Sequence, residues 1–287
     1  MISFDLKLVK KHFPNLNAYS KNFNEIKKKI SVIKKKPPID KENTFLFDEF
    51  GKIFFPFINM GKIKSTDLFS ANEFIIFFLY FCYKKYHSKK IKVADIGANI
   101  GLHSIIMEKI GFHVSSYEPD PKIFLQLKKN VKLNKLKNIK LYNSAIFNKK
   151  GIFNFTRVHN NLTGSHITTE KESYGPKSIF KVRTTAAQDI VSKFSLIKLD
   201  IESAEAAVIC SLRKKDFLKT DMIVEVGNEY NAKKIFIFLK KKKIKSYSQK
   251  NNFKLVRNFN NMPLSHHEGL LFISQSTFFK TFKILPM

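Results

Sequence analysis

Ile91-Lys-Val-Ala-Asp-Ile-Gly-Ala-Asn-Ile-Gly101 decides the fold. Its first six residues read as a short apolar strand. The glycine loop that ends it opens into a segment apolar at Leu102, Ile105, Ile106 and Ile110, one face of a helix. Gly111 is placed to cap that helix. The same pattern recurs downstream. Val114–Tyr117 is a second strand, after which Asp120 can cap a helix with Pro121 at its first position and Phe124, Leu127 and Val131 facing inward. Ile139–Tyr142, Leu196–Leu199 and Met222–Val226 read as third to fifth strands. Ser203–Arg213 and Asn231–Lys243 supply further helices, and Leu270–Ser274 closes as a strand. Such alternation predicts an α/β fold with a mostly parallel sheet and helices on both faces. Ligands of these sheets bind at the carboxyl ends of the strands, where the winding reverses.

A glycine loop lets the backbone approach a ligand closely, and the helix that follows presents its N-terminus. The dinucleotide fingerprint would need glycines at 97, 99 and 102, where this chain has Gly97, Asn99 and Leu102. Asp95, at the end of the first strand, sits badly against a pyrophosphate but suits a cationic amino group. That argues for S-adenosylmethionine over a nicotinamide cofactor. Glu118 ends the second strand, where an acidic residue is well placed for ribose hydroxyls. Helix capping is the competing role for both acids.

In combination, Val93-Ala-Asp-Ile-Gly-Ala-Asn-Ile-Gly101, Tyr117-Glu-Pro-Asp-Pro121 with Asn130 and Asn134 downstream, Ile197-Lys-Leu-Asp-Ile-Glu-Ser-Ala-Glu205 and Met222–Val226 resemble the FkbM-type family of S-adenosylmethionine-dependent methyltransferases. The resemblance spans about residues 91 to 245. It implies the class I methyltransferase fold, Rossmann-like and seven-stranded, with an antiparallel last strand. It also implies O-methylation of hydroxyls on natural products and glycans. By the same resemblance Asp95, Gly97, Asn99 and Gly101 would line the methionine and ribose part of the cofactor, Glu118 would take the ribose hydroxyls, and Asn143, Ser144 and Ala145 would lie beside the adenine. Ser203 departs from the family, which usually has glycine there. Glycine would permit close approach or an unusual backbone angle, whereas serine can cap the helix that follows.

Methyl transfer to oxygen needs the acceptor in line with the sulfonium methyl and a group to take the hydroxyl proton. Lys198, Asp200 and Glu202 share one side of the fourth strand if it continues. Asp200 is the first candidate for base or acceptor positioning, and a structural Lys198–Glu202 pair is the alternative. His166 and His267 are the competing bases. His159 and His166 flank Asn160–Ser165, a polar loop long enough to close over the site, while His266 and His267 precede the last strand. His103 reads as a helix cap. No His, Cys, Asp and Glu cluster has metal-ligand spacing, so no metal is expected.

Residues 1–90 read as an N-terminal cap, 91–275 as the methyltransferase domain and 276–287 as a tail. The cap is Lys- and Asn-rich to about residue 43, with Pro37-Pro38 punctuating it. A hairpin follows over Phe45–Gly51 and Lys52–Pro56, then a buried helix opening at Ser70 or Asn72. A chain of 287 residues, 44% hydrophobic with 30 Phe, has ample core and is not disordered overall. Two cysteines make no disulfide framework, which fits a reducing compartment. The N-terminus has no signal-peptide stretch, and the longest apolar run, Phe74–Tyr83, is about half of a membrane span. The expectation is a cytoplasmic protein without a transmembrane segment. A net charge of +29 suggests an anionic partner, yet arginine, the residue that grips phosphate bidentately, stands only at 157, 183, 213 and 257. The lysines read as compositional, and the Lys240–Lys245 run as a helix end favoured by the dipole. A small-molecule or glycan acceptor is therefore expected. An RNA methyltransferase and a catalytically silent binding module are the alternatives.

Overall fold

The computed structural model describes residues 2–4, 6–35, 44–87, 90–170, 172, 175–276 and 278. The N-terminal part comprises β1 (Ile2–Phe4), α1 (Lys7–His12), α2 (Lys21–Lys35), β2 (Thr44–Phe47), β3 (Gly51–Phe54), β4 (Asn59–Met60), β5 (Ile63–Lys64) and α3 (Ala71–Tyr86). Then come β6 (Lys92–Ile96), α4 (Leu102–Lys109), β7 (His113–Tyr117), α5 (Pro121–Leu133) and β8 (Ile139–Tyr142). An arm follows, made of β9 (Ala145–Phe147), β10 (Gly151–Val158), β11 (His166–Ile167) and β12 (Lys177–Ala186). The chain returns through β13 (Leu196–Leu199), α6 (Glu205–Ser211), β14 (Asp221–Glu225), α7 (Glu229–Lys242), β15 (Ser246–Ser248), β16 (Lys254–Leu255) and β17 (Leu270–Ile273).

The main sheet has the order β16-β15-β17-β14-β13-β6-β7-β8. From β8 to β14 the strands are parallel, and β17 runs antiparallel between β14 and β15. This is the class I methyltransferase arrangement, with the two-residue β16 added at one edge. The winding reverses between β6 and β13, which places the ligand crevice at their carboxyl ends. These strands are apolar runs because both faces are covered: β13 and β17 are buried at every residue, and β6 at all but Lys92.

Local chemistry sets the helix ends. Ser70 Oγ accepts from the Glu73 N–H, so α3 opens at Ser70. Asp120 Oδ1 accepts from the Lys122 N–H at 2.8 Å, with Pro121 as the first helical residue of α5. The helix expected over 203–213 is shorter and starts at Glu205, because Glu202 and Ser203 take left-handed angles of φ 55° and 84°.

The N-terminal part shares one core with the sheet. Leu6, Phe23 and Ile26 join Phe74–Tyr80 of α3, Ile105 of α4 and Val93 and Phe272 of the sheet in a single buried cluster. Tyr83 OH donates to the Ser195 carbonyl at 2.9 Å and tethers α3 to the start of the central strand β13. A second cluster, around Leu199, Ile209, Val224 and Ile235, packs α6 and α7 on the other face. The arm is a separate antiparallel sheet in which β10 and β12 pair from Gly151–Thr184 to Val158–Lys177. Sequence reading assigned these residues no strands. Among the described residues no helix is long and apolar enough to cross a membrane. Pro37-Pro38 lies outside the described residues, as does the 276–287 tail apart from Ser276 and Phe278.

Candidate active site

A cavity of about 790 Å³ opens where β6, β7, β13 and β14 end. Its floor begins at Gly97. The loops after β6 and β13 pass so closely that a Cβ on Gly97 would lie 1.7 Å from the Asp200 carbonyl oxygen, and φ is +82°. Only glycine fits there. Asn99 follows with φ 50°, and its N–H donates to Glu118 Oε2 at 2.9 Å. Glu118 Oε1 accepts from the Asp120 N–H at 2.9 Å, so one carboxylate ties the β6 and β7 loops together. Burial pushes the Glu118 carboxyl up to about 8; the two backbone N–H bonds pull it down, and Asp120 and Asp95 push it further up.

The other residues expected at the cofactor are placed as follows. Asp95 is fully buried beneath the loop and off the cavity wall. Ser104 Oγ donates to its Oδ2 at 2.5 Å, and its Oδ1 is 3.9 Å from Lys198 Nζ. Gly101 (φ +96°) also lies behind the wall, where a Cβ would meet Leu127 Cδ1 at 2.5 Å. Ala145 lines the cavity, while Asn143 and Ser144 do not. Asn143 Nδ2 instead braces the turn by donating to the Glu118 carbonyl at 2.8 Å.

Lys198, Asp200 and Glu202 all line the cavity. Strand geometry ends at Leu199, however, and Lys198 pairs with Asp200 rather than Glu202, with Nζ 2.9 Å from Oδ2. Burial alone would lower the Lys198 pKa, but Asp200, Asp95 and Glu73 outweigh it and hold the ammonium above its ordinary range. Lys198 is thus a permanent cation beside Asp200. Ser203 does not cap α6; Ala204 occupies the cap position without a side-chain bond. Glu205 holds this loop by accepting from the Ile201 N–H at 2.9 Å, and burial pushes its carboxyl up to about 8.

The histidines are scattered. His166 is buried off the wall, with Nδ1 donating to the Gly164 carbonyl at 2.8 Å. His267 is exposed against the His266 ring, and His266 alone of that pair lines the cavity. His159 is exposed and bonds Ser178 Oγ at 2.7 Å. His103 caps nothing: it turns toward α3, with Nε2 2.7 Å from Glu73 Oε2 and Nδ1 3.0 Å from Tyr80 OH.

Sequence reading missed Glu73, His103 and Glu225 as wall residues. Glu225 carried a signal, being an acid at the end of the fifth strand as Asp200 follows the fourth. Burial, then Asp200, Glu73 and Glu202, drive its carboxyl well above the ordinary range.

The roof has two parts. Ile63, Asp67 and Leu68 come from the cap, and Phe155, Asn161–Thr163, Ser165 and Ile167 from the arm. The Lys62 N–H donates to the Asn160 carbonyl at 2.8 Å, and Gly61 bridges Asn161. A Cβ on Gly61 would lie 2.3 Å from the Asn160 carbonyl carbon. Among the described residues, eight of the chain's 23 acidic residues line this one cavity, against one lysine and no arginine.

The glycine cradle, the acid at the end of β7 and the carboxylate-rich wall fit a cofactor with ribose hydroxyls and cationic sulfonium and amino groups. The family profile described as the methyltransferase FkbM domain matches residues 95–262. Comparison with curated proteins finds no match. Similar solved structures include a ribosomal protein L11 methylase from Lactobacillus delbrueckii subsp. bulgaricus, at 13% identity over 83% of this chain and 89% of that one, TM-score 0.40. A precorrin-6y C5,15-methyltransferase from Geobacter metallireducens GS-15 is similar at 11% identity over 69% of this chain and 87% of that one, TM-score 0.39. Likenesses this low say nothing about substrate. The profile match covers more than half of the chain, which therefore belongs to the FkbM methyltransferase domain family and is an S-adenosylmethionine-dependent methyltransferase.

Proposed function

We propose that the methyl group goes to a hydroxyl oxygen, that of a sugar in a glycan or of a small metabolite. One observation carries this reading: the placement of charge. A chain of +29 places eight acidic residues and one lysine around its cavity. An RNA acceptor would bring phosphates against a wall that offers no arginine and one lysine, itself paired with Asp200. An uncharged polyol meets groups that accept its hydroxyl protons. In this reading residues 1–90 form the acceptor-side cap of a transferase unit spanning 91–275.

Gly97 and Asn99 hold the cofactor's methionine and ribose part, Glu118 takes the ribose hydroxyls, and Ala145 faces the adenine, while Asn143 braces the turn behind it. Asp95 and Gly101 act from behind, Asp95 by fixing Ser104 and facing Lys198. When bound, S-adenosylmethionine supplies an electrophilic sulfonium methyl. Asp200, held by Lys198, orients the acceptor hydroxyl and takes its proton as the carbon–oxygen bond forms.

The test uses methyl-labelled cofactor with a panel of glycosides. Asp200→Asn is expected to lower turnover about 100-fold or more, the usual contribution of a positioned base, with cofactor affinity nearly intact by calorimetry. His166→Ala and His267→Ala are expected to keep turnover. If either histidine variant loses turnover while Asp200→Asn keeps it, the base lies elsewhere.

A further inference from the structure

The cap places in the cavity a carboxylate that the reaction above does not use. Glu73 lies in the first turn of α3, where the helix N-terminus favours negative charge. Its side chain is 20% exposed and lines the cavity. His103 Nε2 lies 2.7 Å from its Oε2, and Tyr80 OH lies 3.0 Å from His103 Nδ1. Glu73 and His103 stand at ion-pair distance, and the Tyr80 phenol holds the far side of the ring. Burial, with Asp95 and Glu73 nearby, holds the Tyr80 pKa well above the ordinary value. Phe77 packs edge-on against the imidazole at 5.4 Å and sets its plane. Buried side chains that aim one carboxylate at an open cavity are what a preorganised binding group requires.

We infer that Glu73 orients the acceptor by taking a hydrogen bond from a second hydroxyl next to the one Asp200 aligns, with His103 and Tyr80 as positioning residues. The substrate class is then a vicinal diol, as on a pyranose ring. This assignment rests on the hydroxyl-oxygen reading above. Glu73 and Asp200 line the same cavity and act on the same two groups, Lys198 and Glu225. Glu225, whose carboxyl both of them push toward the neutral form, adds a donor to two acceptors. The three together match hydroxyls, which both give and take hydrogen bonds.

The test takes the full chain saturated with S-adenosylhomocysteine. Its probes are the methyl α-pyranosides of glucose, mannose and galactose, with binding read by saturation-transfer NMR. At least one probe is expected to bind. Glu73→Gln is expected to weaken it about tenfold or more while cofactor affinity stays within about twofold. His103→Phe should behave like Glu73→Gln, and His103→Gln, which keeps a donor toward Glu73, should recover most of the affinity. In turnover with methyl-labelled cofactor, KM should carry more of the change than kcat. Failure of all three probes to bind overturns the diol class. Unchanged binding in Glu73→Gln, or a parallel loss of cofactor affinity, overturns the role of Glu73. Methyl transfer to the nitrogen of methyl 2-amino-2-deoxyglucopyranoside and to no hydroxyl would sink the oxygen reading alone, because binding still reports on Glu73.

Discussion

On the floor of the cavity, the loops after β6, β7 and β13 and the end of β14 bring Gly97, Glu118, Asp200 and Glu225 together. In the roof, residues 63–68 of the cap and 155–167 of the arm meet across a bridge between Gly61 and Asn161. The floor is assembled by the sheet itself, since parallel strands in register deliver their ends to one edge. The roof is assembled by tertiary packing of segments about a hundred positions apart. The floor should therefore govern the cofactor and the roof the acceptor, and substitutions can break that division.

The largest effect is expected at Gly97. In Gly97→Val the new side chain meets the Asp200 backbone, so cofactor binding should fall more than about 100-fold by calorimetry. Next is Glu118→Ala, which should cost about 1–3 kcal/mol of cofactor affinity, roughly 5- to 150-fold, the scale of leaving buried hydrogen-bond partners unsatisfied. Full affinity in that variant would remove the ribose assignment.

The same buried acids set a pH dependence. Glu118 and Glu205 have pKa values pushed up to about 8 in the fold, against about 4.5 in the unfolded chain. Between those values the native state holds protons that the unfolded state has released. Stability should thus fall as pH rises from about 4.5 to about 8, then level off, by several kcal/mol. Denaturant unfolding at pH 5.5 and pH 8 reads it, and Glu118→Gln should shrink the difference. A protein equally stable at both would contradict the burial argument.

Gly61→Ala probes the roof. Displacing Asn160 should raise the acceptor KM several-fold and leave cofactor affinity within about twofold; matched losses of both would merge the two halves. The smallest effect belongs to Ser203→Gly. Relief of a left-handed serine should stabilise the fold by up to about 1 kcal/mol without changing cofactor binding.

The two halves were also unequally legible in the sequence. Strands β8 and β13 fall on the residues read for them: β13 is an apolar run buried at every residue, and β8, at the sheet edge, alternates half-buried Ile139 and Leu141 with exposed Lys140 and Tyr142. Asp95 stands near the end of β6 as read, yet it faces Ser104 rather than the cavity, a matter of side-chain direction that residue type does not carry. β10 and β12 alternate apolar and polar residues, with Ile152 and Ile179 exposed, so a period-two signal was present in a polar context. Ser203 showed the reverse limit: the family's glycine pointed to an unusual backbone angle, and that angle is there without the glycine. Glu73 and His103 offered no local signal, since they meet only when α3 packs on α4.

The bridge at Gly61 and Asn161 has a kinetic consequence. Each catalytic cycle must admit a cofactor and an acceptor and discharge two products, and the roof is the part of the wall that can widen without disturbing the sheet. What would part is the bridge that the Lys62–Asn160 hydrogen bond makes, a bond worth about 1 kcal/mol net, whereas the sheet below stays whole. Opening is then a local fluctuation, uncoupled from global unfolding and far more frequent. Hydrogen exchange at the Lys62 amide would report how often the roof parts from the arm.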